Sequence, residues 1–157
     1  MLSVSSIDAR GTAVGTLTTH QEPVDIVSFD LDNPAAKHRL TRVNQDVLSG
    51  VALGDVEEIW YKSVGDFDIQ AWIVKPPNFD PNRKYPLMLA IHGGPHGMYN
   101  VGFNFAWQNH AANGYVVLYT NPRGSSGYGS EFGNAIKNAY PGQDFDDLMT
   151  GVDQVIA

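Results

Sequence analysis

The segment His92-Gly93-Gly94-Pro95 follows a continuous apolar run from Tyr85 to Ile91. Two glycines after a buried strand leave backbone N–H groups free of side-chain obstruction. A donor placed there can stabilise negative charge developing on a carbonyl oxygen, and one such donor contributes a few kcal/mol. The same residues also fit a tight turn that uses glycine for its conformation alone. His92 and His96 stand four apart, the spacing of a zinc pair on a helix. Gly93, Gly94 and Pro95 lie between them and break such a helix, so no metal site is expected. His92 reads as a structural hydrogen-bonder, because a general base needs a poised partner and the sequence shows none.

A second group of polar residues is Asn121-Pro122-Arg123-Gly124-Ser125-Ser126-Gly127-Tyr128-Gly129. It follows another apolar run, Tyr115 to Tyr119. Arg123 either binds a substrate carboxylate or carbonyl or holds the loop by bonding its backbone. Tyr128 either packs or lines a pocket. Asp144, Asp146 and Asp147 suit the first turn of a helix, where the dipole favours negative charge. Trp60, Trp72 and Trp107 read as core residues. No serine sits in a Gly-x-Ser-x-Gly elbow.

These groups need elements to position them. The apolar runs at 85–91 and 115–119 suit strands buried on both faces. Phe103 to Asn113 has helical spacing, with Gly114 as its stop. Ser130 to Tyr140 is a further predicted helix. Phe145, Leu148, Met149, Val152, Val155 and Ile156 recur at threes and fours and mark the clearest helix. Glu57 to Ser63 and Phe67 to Val74 flank Gly65-Asp66 as a hairpin. The order from residue 85 predicts an α/β fold with a mostly parallel sheet and flanking helices. Before it, three strands are expected near 11–19, 24–29 and 37–43, with a turn at Asp32-Asn33-Pro34 and a connector over 44–54.

Composition narrows the function classes. The 157 residues are 43% hydrophobic and 17% charged, which is globular. A net charge of −7 without basic runs argues against nucleic acid and against an anionic membrane surface. With no cysteine, disulfides, thiolate metal sites and a cysteine nucleophile are excluded. No cofactor is implied. The compartment is left unset, and residues 1–6 lack a signal-peptide pattern.

Taken in order, His92-Gly93-Gly94-Pro95 and Asn121 to Gly129 resemble the catalytic domain of the prolyl oligopeptidase family, on the acylaminoacyl-peptidase and dipeptidyl-peptidase 5 side. Gln143 to Asp147 is similar to it as well. The resemblance implies the end of a β-propeller over residues 1–50 and the N-terminal part of an α/β-hydrolase domain over 54–157. It implies a serine peptidase acting on oligopeptides or acyl-peptides, with its Ser-Asp-His triad beyond Ala157. The chain alone is then expected to be inactive. In such folds the loop after the third strand supplies one oxyanion donor. Other branches place a tyrosine at the position of His92. Here the donor is expected to be the Gly94 N–H, with Gly93 contributing shape. His92, Arg123 and Tyr128 are candidate substrate contacts. An esterase of the same fold and a non-catalytic truncated chain stay open as alternatives. So does oligomerisation of the parent protein.

Overall fold

The small and β-branched residues near the N-terminus pair into an antiparallel meander. In the computed structural model, which describes residues 1–157, it comprises β1 (Leu2–Ile7), β2 (Thr12–Leu17), β3 (Asp25–Asp30) and β4 (Asn33–Arg39). One more strand forms than expected. β4 also starts earlier than 37, because Asp30 pairs with Asn33 across a turn at Leu31-Asp32. Pro34 is tolerated there because β4 is an edge strand. Ala13 pairs with Phe29 and Gly15 with Val27, and all four side-chain positions lie on one buried face. A short helix α1 (Gln45–Leu48) occupies the connector. Residues 1–53 and 100–105 form one compact unit, and 54–99 with 106–157 form the other.

Asp25 is the polar residue on the buried face of the meander. It accepts from Thr41 Oγ1 at 2.7 Å, Arg39 Nη1 at 2.8 Å and the Val43 N–H at 3.1 Å. The Thr41 hydroxyl, then the Val43 N–H and Arg39, hold its pKa below the ordinary 3.8. A carboxyl lowered on folding stabilises the fold above its unfolded value. That contribution is lost as pH falls through the folded value. The hydrogen-exchange protection of the Val43 amide should therefore drop as pH falls below 3.8. In Asp25→Asn it should be low and insensitive to pH. Equal protection in both proteins at neutral pH would refute this.

The second unit is built on β5 (Val56–Lys62), β6 (Asp68–Val74), β7 (Leu87–Ala90) and β8 (Val116–Asn121), in the order β5-β6-β8-β7. Only β7 and β8 run parallel, joined by helix α2 (Phe105–Ala112). The β5–β6 and β6–β8 pairs are antiparallel, so the sheet is mixed rather than mostly parallel. The cause is local. The β5–β6 hairpin closes through a 3-10 turn at Val64–Asp66 and lays two strands against one crossover unit. β8 is buried throughout, as its apolar run requires. β7 is only half-buried and Ile91 is exposed, because β7 stands at the edge of the sheet.

Helices cover both faces of this sheet. On one, Tyr61, Ile69, Ala71 and Leu118 pack with Phe132 of α3 (Gly129–Asn134) and with Val152 and Val155 of α4 (Gln143–Ile156). On the other, Trp72, Val74, Val117 and Tyr119 pack with Ala111 and Trp107 of α2. Trp107 and Trp72 stack on Tyr119 at centroid distances of 3.9 and 5.2 Å. Trp60, by contrast, is exposed on the edge strand β5, its Nε1 donating to Glu58 at 2.9 Å. α3 ends before the expected Tyr140, since Gly133, Asn134 and Asn138 are poor helix formers and Asn138 takes φ 60°. No helix is long and apolar enough to cross a membrane.

Candidate active site

Because β7 and β8 are parallel, the loops after them leave from the same edge of the sheet. Ligand sites of open α/β sheets form outside the carboxyl ends of strands. The two sequence motifs are these two loops, and hydrogen bonds staple one to the other. His92 Nε2 lies 2.9 Å from Ser125 Oγ, and His96 Nδ1 donates to the Gly124 carbonyl at 2.8 Å. The Ser126 N–H donates to the Gly97 carbonyl at 3.0 Å, and its hydroxyl donates to the His96 carbonyl. Asn121, fully buried at the end of β8, clamps Tyr99 from both sides. Its Oδ1 accepts from the Tyr99 N–H at 2.7 Å and its Nδ2 donates to the Tyr99 carbonyl at 3.0 Å.

At the tip of the first loop Gly93 and Gly94 are exposed, and neither N–H is used within the chain. Gly94 has φ 137°. A Cβ there would stand 2.6 Å from the Gly97 nitrogen and 2.9 Å from the His96 nitrogen, so only glycine fits. His92 is partly buried beside it, its Nδ1 3.1 Å from the Gly93 carbonyl.

Arg123 is buried, with its donors committed inside the protein. Its N–H and Nε both donate to Asp147 Oδ2 at 2.8 Å, and Nη2 donates to Oδ1 at 2.7 Å. Nη1 reaches Gln143 Oε1 and Nη2 the Val64 carbonyl, each at 2.6 Å, and the guanidinium lies 4.4 Å from the Phe67 ring centre. Asp147 is therefore a buried partner of Arg123 rather than a solvated helix-start charge. Tyr128 is half-buried. Its hydroxyl donates to Gln70 Oε1 and accepts from Asn121 Nδ2 at 2.6 Å. Burial holds the Tyr128 pKa above its ordinary value, so the hydroxyl stays a neutral donor.

The residues missed in the sequence are Ser125, His96, Asn121 and the pairing of Asp147. Asn121 and Ser125 lie inside the quoted motif, but nothing in spacing says which carbonyl or ring each would meet. Gly94 and its neighbours, Arg123 and Tyr128 are brought into one connected pair of loops, with Arg123 beneath rather than at the exposed tip.

Known proteins resemble this chain in sequence and fold. The profile of the prolyl oligopeptidase family matches residues 100–157. The peptidase YuxL of Bacillus subtilis is 37% identical over 143 residues, which is 91% of this chain and 22% of that protein. Dipeptidyl-peptidase 5 of Aspergillus fumigatus is 42% identical over 65% of this chain and 14% of its own length. The chain thus spans less than a quarter of these relatives. The structure of the Pyrococcus horikoshii acylaminoacyl peptidase superposes on 99% of this chain and 24% of that one, with a TM-score of 0.84 and 26% identity. By its profile, its relatives and its fold, this chain belongs to the prolyl oligopeptidase family.

Proposed function

We propose that this sequence forms the oxyanion side of a serine peptidase active site, in a protein that hydrolyses oligopeptides or acyl-peptides. The observation that carries the reading is the exposed, unpaired Gly94 N–H at the carboxyl end of β7, held by a loop stapled to its neighbour. In the reaction a serine hydroxyl from outside these residues attacks the scissile carbonyl carbon. The carbonyl electrons move to its oxygen, which accepts from Gly94, and from the N–H following the nucleophile. A base outside these residues takes the serine proton and gives it to the nitrogen as collapse expels the amine; water, losing a proton to the same base, then releases the acyl group from serine. The peptide assignment is supported by a matched structure, an acylaminoacyl peptidase in complex with Z-Gly-Gly-Phe-chloromethyl ketone. Residues 1–50 read as the end of a propeller, since a four-stranded antiparallel meander is one blade in size. Residues 54–157 read as the N-terminal part of the hydrolase domain. Arg123 and Tyr128 act by holding the loops, and His92 lies beside the Gly93–Gly94 tip.

A fluorophosphonate probe tests this. The 157-residue chain should take up no label, and the full-length protein should be labelled at one serine outside it. Labelling of Ser125 or Ser126, or of no serine in the full-length protein, would sink the reading.

A further inference from the structure

We propose that the cavity between Pro95-His96 and the segment after α3 is a substrate subsite for a carboxylate, with the Lys137 ammonium as its counter-charge. The subsite deepens the peptidase reading of Gly94 and rests on it.

The cavity holds about 230 Å³. Pro95 and His96 line one side; Asn134, Ile136, Lys137 and Tyr140, at and beyond the end of α3, line the other. Gly124 joins the two walls. Its carbonyl accepts from His96 Nδ1 at 2.8 Å. The buried Ile136 packs on its α-carbon, where a Cβ would stand only 2.5 Å from Ile136 Cδ1. Backbone bonds fix the second wall: the Lys137 N–H donates to the Asn134 carbonyl at 2.9 Å, and the Ala139 N–H to the Ile136 carbonyl at 3.0 Å. The side chains of Asn134, Lys137 and Tyr140 take no part in these bonds.

Those three side chains are unengaged. The Lys137 ammonium, the Asn134 amide and the Tyr140 hydroxyl have no hydrogen-bond or ion-pair partner within the chain. No Asp or Glu lines the cavity, although acidic residues outnumber basic ones by 17 to 10. An ammonium only donates, and an amide and a phenol can donate beside it. Their common complement is an anionic acceptor. An apolar side chain would strip water from three donors and return no bond. The cavity is smaller than the roughly 300–1,000 Å³ of a site for a whole ligand, so it suits one side chain or a chain end.

The position ties the cavity to the reaction. Pro95 and His96 follow Gly94 directly, so the His96 α-carbon lies within about 8 Å of that of Gly94. A peptide whose scissile carbonyl oxygen accepts from the Gly94 N–H advances about 3.3–3.6 Å per residue. The cavity is thus within reach of residues one or two places from the scissile bond. The carboxylate comes from an acidic side chain there or from the end of a short peptide.

The test uses the full-length protein and matched pairs of peptides. One set exchanges Glu for Gln at each of the two positions on either side of the scissile bond. The other exchanges a free C-terminal acid for its amide. In at least one pair the acid should be cleaved with kcat/KM about fivefold above its neutral partner, the upper range for an exposed charge pair. The pair in which the preference appears identifies the source of the carboxylate. Lys137→Gln should bring that ratio within about twofold of one, and Lys137→Glu should take it below one. Lys137 is exposed, so neither substitution disturbs the core. Raising salt to about 0.5 M should shrink the wild-type ratio. An acid preference below about twofold in every pair, or one that persists in Lys137→Glu, overturns the subsite. The neutral peptides keep the two readings apart. If none of the peptides is cleaved, the peptidase reading falls and takes the subsite with it. If they are cleaved without preference for the acid, the subsite alone falls.

Discussion

Replacing the Gly93–Gly94 amide with an ester, by incorporating glycolic acid at position 94, should lower kcat by about two orders of magnitude or more in the full-length protein. The change removes one N–H and adds no side chain. That matters because Gly94 takes φ 137°, and a Cβ there would meet the Gly97 and His96 nitrogens. Gly94→Pro also deletes the donor, but it forces φ to roughly −65° and rebuilds the loop. The ester isolates the hydrogen bond. KM should change little, since the oxygen carries its full charge only in the transition state. A fall in kcat of less than about fivefold would remove Gly94 from the oxyanion site, because one lost donor costs far more than that.

Asp147→Ala should destabilise the fold by about 3–5 kcal/mol, the cost of leaving a buried charge without its partner. Asp147 is 0% exposed and accepts three bonds from Arg123, whose own side chain is 2% exposed. The substitution strands the guanidinium and orphans the Arg123 N–H at the start of the second loop. Against a net domain stability of about 5–15 kcal/mol, that loss is large. The pair itself is a different matter. Arg123→Met with Asp147→Leu should cost less than Asp147→Ala alone, because no unpaired charge remains and apolar contacts replace the pair. Arg123→Lys should not rescue, since one ammonium cannot reproduce the bidentate contact and the bonds to Gln143 and Val64. Urea denaturation of the four proteins decides this. A single-variant cost below about 1 kcal/mol, the range of exposed pairs, would show that water reaches the pair.

Much of this was legible from local pattern. Helix α4 announces itself in the three-and-four spacing of Leu148, Val152 and Val155, and the β5–β6 hairpin in two β-rich runs around Gly65-Asp66. Both follow from the geometry of neighbouring residues. The Gly93-Gly94 pair could be singled out because glycine alone opens backbone to a ligand. Even within α4 the pattern was incomplete. Phe145, Met149 and Ile156 share the periodicity yet remain exposed, because period locates a face and not what covers it.

The rest depended on pairs far apart in the chain. Arg123 meets Asp147 across 24 residues, and His92 meets Ser125 across 33. An Asp near the start of a helix pattern and a Ser in a glycine-rich loop look the same whether solvated or buried. Strand direction was likewise undetermined. The apolar run of β8 requires burial on both faces, and only tertiary pairing makes one neighbour antiparallel and the other parallel. The sequence by itself determined most of the elements, the open glycine backbone and the family it resembles, because these follow from local spacing and residue type. Tertiary structure alone decided which loops are stapled and which charge is buried. Those depend on hydrogen-bond partners that folding brings within 3 Å, and no local period encodes them.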